Sequence, residues 1–91
     1  MRLLKIPPTL LHAQADECLS QWLAQLPHHE ASQVEVDASD LREFDSSALA
    51  VLLALRRAVA AQGGRLKVSG WTPRLHQLAH LYGVFDLFEP A

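Results

Sequence analysis

Three groups of side chains have the types and spacing for chemistry: Asp45-Ser46-Ser47 at the head of an apolar run, the pair His76 and His80, and the single thiol of Cys18. The first is the most informative. Asp45 is suited to cap a helix that starts at Ser46, so that the unpaired amides of its first turn and the positive end of its dipole surround both serines. A phosphate is well accommodated in such a place. Nucleophilic catalysis is not indicated, because the Gly-x-Ser-x-Gly elbow is missing and no histidine stands out as a base for Ser46. There is also no Gly-x-x-x-x-Gly-Lys loop, which excludes a P-loop site and argues against intrinsic ATPase activity.

His76 and His80 stand i, i+4 on one helical face, a spacing able to hold a metal, but no Glu follows His76 and no third ligand is evident. They are expected at an exposed edge beside the buried stripe of their helix, and His28-His29 in a loop. Cys18 shares a helical stripe with Ala15, Leu19 and Trp22, the position of a small buried hydrophobe, and as the only cysteine it cannot form an internal disulfide. Neither a metal nor any other cofactor is expected.

The helix that positions Ser46 has two faces at 100° per residue. Val51, Leu52, Leu55 and Val59 share one arc, with Leu49 at its edge, and belong in the core. The opposite arc carries Ser46, Ala50, Ala54, Arg57 and Ala61, with Leu53 at its border, so it holds one charge and is otherwise small. Such a face suits close approach by another protein, and Asp45, Ser46, Ser47, Ala50, Leu53, Ala54 and Arg57 are the partner-binding candidates. The alternatives are a second layer of the same domain over the alanines, or alanines left in water as good helix formers.

Around this helix, the chain alternates strands and helices. A first strand over Arg2–Ile6 is stopped by Pro7-Pro8 and belongs near a sheet edge. His12–Leu26 follows as an amphipathic helix with Ala15, Cys18, Leu19, Trp22, Leu23 and Leu26 on its apolar side, ended by Pro27. Gln33–Asp37 is a second strand, and Leu41 and Phe44 anchor the approach to Asp45. The central helix ends near Gln62 at Gly63-Gly64, a left-handed C-cap. Arg65–Ser69 is a third strand with Leu66 and Val68 inward. Thr72 caps a third helix that runs to Tyr82, begins with Pro73 and is closed by Gly83; Leu75, Leu78, Ala79 and Tyr82 form its buried stripe. Val84–Phe88 is expected as a last short strand. This order predicts an α/β fold with a small, mostly parallel sheet of about four strands and three helices.

The 91 residues, 49% of them apolar, suffice for one domain over 1–91 with a single core and no staples. A net charge of −2 with eight scattered basic residues leaves no electrostatic footprint for nucleic acid. No apolar run approaches the roughly 18 residues of a spanning helix, and no secretory h-region is evident. A cytoplasmic location without direct membrane insertion is therefore expected.

The run Asp45-Ser46-Ser47-Ala48-Leu49-Ala50-Val51-Leu52-Leu53, set between a Val-rich strand and a Gly-Gly-capped helix end, resembles the STAS domain of anti-sigma factor antagonists. That family usually reads Asp-Ser/Thr-Ser/Gly-Gly-Leu here, and Ala48 stands where it has glycine. In its bacterial regulators the Ser or Thr after the Asp is phosphorylated by a kinase anti-sigma factor, which by motif is Ser46. The later part, with Gly63-Gly64, Gly70 and Leu78-Ala79-His80-Leu81-Tyr82-Gly83-Val84, is similar to the MlaB, or lipid-asymmetry, branch. The likeness covers roughly Val34–Phe88. It implies a small cytoplasmic, non-catalytic subunit that binds the ATPase of a phospholipid-transport ABC transporter of the MlaFEDB type through the helix starting at Ser46. The alternative it implies is an anti-sigma factor antagonist switched by phosphorylation of Ser46, with the kinase as partner. Most STAS domains open with a two-strand hairpin, whereas this chain has room for one strand before its first helix.

Overall fold

Residues 2–26 and 33–88 are described by the computed structural model. Their elements are β1 (Arg2–Lys5), β2 (Thr9–Leu10), α1 (His12–Gln25), β3 (Gln33–Asp37), β4 (Glu43–Phe44), α2 (Ser46–Ala61), β5 (Arg65–Ser69), α3 (Pro73–Leu81) and α4 (Phe85–Phe88). Every strand pairing is parallel: β1, β3 and β5 form one sheet in that order, and β2 pairs with β4 in a second.

Side-chain alternation divides the larger sheet into a covered and an open face. Leu4, Val36 and Val68 lie in register, all buried, with Val34 on the same side. Leu3, Glu35 and Lys67 occupy the opposite side, where Ser69 Oγ donates to Glu35 Oε2 at 2.7 Å. The crossovers β1-α1-β3 and β3-α2-β5 advance in one direction, which puts α1 and α2 together on the covered face. There Leu49, Val51, Leu52, Leu55 and Val59 of α2 are buried as the helical period requires, with Cys18 and Trp22 of α1.

Both long C-terminal helix ends carry the paired hydrogen bonds of a Schellman cap. Gly63 N donates to Ala60 O and Gly64 N to Val59 O; Gly83 N donates to His80 O and Val84 N to Ala79 O. Gly63 and Gly83 sit at φ +79° and +71°, where a Cβ is disfavoured.

Four expectations need correction. The N-terminal part holds two strands rather than one, because the chain resumes an extended course after Pro7-Pro8 and β2 finds β4 as its partner. Val84–Phe88 is not a strand: α4 is a helical turn, so Phe85 and Phe88 fall on the same side of it, with centroids 5.0 and 6.0 Å from the Trp71 ring. In a strand, residues three apart would face opposite ways. Tyr82 is exposed, since α3 ends at Leu81 and the chain turns at Gly83, bringing Val84 inward instead. Leu23 is likewise exposed on α1. His28-His29 and the rest of that loop fall outside the described residues.

Gly70, at φ +68°, is more constrained than Gly83. A Cβ there would lie 2.7 Å from Asp37 Oδ1 and 2.9 Å from Ser39 N, two atoms already joined in a 2.9 Å hydrogen bond. A Cβ at Gly83 meets nothing within 4 Å. Gly83→Ala should therefore cost only the left-handed backbone term, about 1 kcal/mol. Gly70→Ala adds the collision with the turn after β3 and should cost about 2 kcal/mol or more. Denaturant melts of the two variants measure this, and equal costs would contradict the close packing of β5 on that turn.

Candidate functional site

The two-strand ladder β2-β4 brings two helix starts side by side. Thr9 lies opposite Glu43 and Leu10 opposite Phe44, while the amides of Arg42 and Glu43 both donate to Pro8 O at 2.8 and 3.0 Å. Leu10, Leu41 and Phe44 are buried beneath. Two residues beyond Leu10 is His12, the first residue of α1, and two beyond Phe44 is Ser46, the first of α2.

Asp45 joins them. Its Oδ1 accepts from Ser47 N at 2.8 Å, the expected cap of α2, and its Oδ2 accepts from His12 N at 3.2 Å. The residue preceding α1 is Leu11, whose side chain cannot cap, so Asp45 supplies an acceptor that α1 lacks locally. Ser47 Oγ lies 3.5 Å from His12 Nδ1. The Ser47 amide, more than any other contact, holds the Asp45 carboxyl below its ordinary range, helped by the Ser47 hydroxyl and by the amide and charge of His12.

A group whose folded pKa is depressed adds stability above its unfolded value, roughly pH 4. That contribution is lost as pH falls through the folded value. Urea midpoints of the parent and Asp45→Asn should therefore differ at pH 6 and converge on acidification. A constant difference down to pH 2 would show that the carboxylate charge plays no part in joining the helices.

Ser46 is exposed between two grooves. One, of about 460 Å³, is lined by Phe44, Asp45, Arg74, Gln77, Leu78 and Leu81. In it the Arg74 guanidinium stands 5.0 Å above the Phe44 ring. The other, of about 260 Å³, is lined by Ser46, Leu49, Ala50, Leu53, Tyr82 and Val84. Beside them Leu81 and Tyr82 are 78% and 57% exposed, more than any other large hydrophobic side chains among the described residues.

The expected site residues thus separate. Ser46, Ala50 and Leu53 share a groove wall; Ala54 and Arg57 continue the same helix face beyond it, half-buried and exposed; Asp45 and Ser47 are engaged in the double cap. Arg74, Gln77, Leu81 and Tyr82 were not anticipated. Leu81 carried a signal, being a large apolar residue off the Leu75-Leu78-Ala79 stripe, whereas Arg74 and Gln77 are ordinary residues for a solvated helix face.

His76 and His80 are exposed, with ring centroids 4.5 Å apart, and both rings pack on Phe85 at 4.4 and 4.5 Å. Among the described residues no three His, Cys, Asp or Glu side chains come together as a metal site. Cys18 is buried, and burial pushes its thiol up to about 11, so it stays protonated at neutral pH. No helix among the described residues is long and apolar enough to cross a membrane.

No curated protein matches the chain. Five solved chains do. One is the crystal structure of a sulfate transporter family protein from Wolinella succinogenes, with a TM-score of 0.76, 16% identity, and an alignment covering 97% of this chain and 70% of that one. At that identity the likeness establishes the fold. The family model described as "Mlab, STAS domain" matches residues 9–89, which takes in both helix starts, both grooves and the Asp45-Ser46-Ser47 cap. The chain therefore belongs to the STAS domain family, in the group described by that model.

Proposed function

We propose that this STAS domain is a non-catalytic subunit that docks onto the ATPase of a phospholipid-transport ABC system and supports its assembly and activity. The observation that carries this reading is the uncharged surface formed by Ser46, Ala50 and Leu53 of α2 with exposed Tyr82 and Leu81 at the end of α3. Monomeric domains rarely leave large apolar side chains grouped in this way, and Arg57 and Arg74 flank the patch as a polar rim. The partner's identity is supported by family membership. The subunit would be cytoplasmic and held at the inner membrane through its partner.

A second reading, the anti-sigma factor antagonist, is favoured by one feature: Ser46 is exposed at a helix start and shares a groove with Arg74. Affinity purification of the chain from native membranes separates the two. An ABC ATPase as the stoichiometric companion is the expected result; a serine kinase in its place would overturn the transporter reading. The isolated chain should turn over no ATP, lacking a phosphate-cradling glycine loop. Turnover abolished by mutating one of its own residues would contradict this.

A further inference from the structure

His76 and His80 project from α3 one turn apart, are exposed, and line neither groove beside Ser46. Their i, i+4 spacing alone did not indicate a metal. The ring geometry adds what the spacing lacked.

Aromatic neighbours hold both imidazoles. Phe85 of α4 stacks on the His80 ring, with centroids 4.5 Å and planes 19° apart, and meets the His76 ring edge-on at 4.4 Å. Trp71 also meets His76 edge-on, at 6.4 Å, and packs on Phe85 at 5.0 Å. The turn that carries Phe85 is itself tied down, since Phe88 is buried and Arg56 Nε donates to Leu87 O at 3.0 Å. Rings confined in this way have little rotamer freedom left to lose when they take a ligand.

The distance between the two imidazoles selects a coordination geometry. Their centroids are 4.5 Å apart and their planes 57° apart. With a metal–nitrogen bond of about 2.0 Å and the ring centre ~1.2 Å behind the nitrogen, imidazoles at right angles around one ion have centres about 4.5 Å apart, and tetrahedral ones about 5.2 Å. The observed spacing is the cis spacing of tetragonal and octahedral ions, Cu(II) and Ni(II) foremost among those that favour imidazole. His80 also lies in the last turn of α3, where the carbonyl end of the helix dipole favours a cation.

We propose that His76 and His80 bind one divalent transition-metal ion, Cu(II) ahead of Ni(II), through two imidazole nitrogens in cis positions. Phe85 and Trp71 are positioning residues that fix the rings. Among the described residues no third His, Cys, Asp or Glu joins the pair, so water completes the coordination and the site is an open surface site. It shares no residue with the grooves at Ser46, and its occupancy does not depend on which partner binds α2.

The test titrates the full, untagged chain with Cu(II) against glycine as competing chelator. Emission from Trp71, whose ring lies 6.4 Å from that of His76, should be quenched to a plateau at one ion per chain. The affinity should fall at least roughly tenfold in His80→Phe, which keeps a ring against Phe85 and removes the nitrogens, because the second ligand of a chelating pair acts at high effective concentration. Pulsed electron paramagnetic resonance should show two coordinated imidazoles in the parent and one in the variant, and Cu(II) should broaden NMR signals around His76 and His80 first. Thermal melting checks the fold of the variant, and the two measurements on the parent decide the matter if it does not fold. Three results would overturn the proposal: an affinity unchanged in folded His80→Phe, a single coordinated imidazole in the parent, or broadening centred on His12, on His28-His29 or at the amino terminus.

Discussion

Ala50→Glu is expected to abolish docking of the native partner while leaving the fold unchanged. Ala50 is exposed in the free protein and lines the groove between Leu53 and Tyr82. A glutamate there is solvated before binding, and it sits in the N-terminal half of α2, where helix propensity is close to neutral and the dipole is favourable. In the complex the same carboxylate is buried without a partner. That penalty is several kcal/mol, or a loss of at least roughly a hundredfold in affinity. Ala54→Glu, one turn further along and half-buried, should act in the same direction. Ser46→Asp should stabilise α2 through its first-turn amides, yet weaken docking on an apolar or acidic surface. Copurification or calorimetry with the partner reads the binding, and thermal melting reads the fold. Normal affinity for Ala50→Glu would remove this face from the interface and return its alanines to the role of helix filler.

The second large effect is internal. Leu52 is 0% exposed and packs in the centre of the core arc of α2. Truncation to alanine removes three carbons from a packed interior and should cost about 2 to 5 kcal/mol, lowering Tm by more than roughly 8 °C in a domain of this size. Leu53, its neighbour, is half-buried at the groove. Leu53→Ala should cost less stability and more partner affinity. The adjacent leucines thus test the orientation of α2 in opposite senses, and a Tm unchanged by Leu52→Ala would mean that the helix faces the other way.

The acid limb of stability bears on the same architecture. Asp37, like Asp45, is held below its ordinary range, chiefly by the Ser39 hydroxyl and amide and to a smaller extent by the charge of Lys5. Both carboxylates contribute stability above their unfolded pKa and lose it as pH falls through the folded one. Asp45→Asn should remove part of this acid sensitivity and leave the part that belongs to the turn at Asp37.

Sequence alone determined the strands Gln33–Asp37 and Arg65–Ser69, the helix starts at His12, Ser46 and Pro73, and the face of α2 that enters the core. Each is a local matter. Helical and strand periods repeat within a few residues, Thr72 and Asp45 cap amides two or three residues ahead, and Gly63 and Gly83 close helices at a distance of one turn. The two-residue strands β2 and β4 are too short for any period, so only their meeting, between residues 34 apart in the chain, reveals them. The same meeting turns the Asp45 carboxylate from the cap of one helix into a bridge between two. Tyr82 became surface because α3 stops one residue before the apolar stripe would have continued, whereas Leu81 lies within α3 off that stripe. Phe85–Phe88 became a helical turn because Trp71 offers Phe85 and Phe88 a common wall, and among the described residues no strand pairs with the outer side of β5, where the Trp71 indole donates to Val68 O. Those outcomes depend on which distant side chain is already in place, and a period of two or of 3.6 residues carries no record of that.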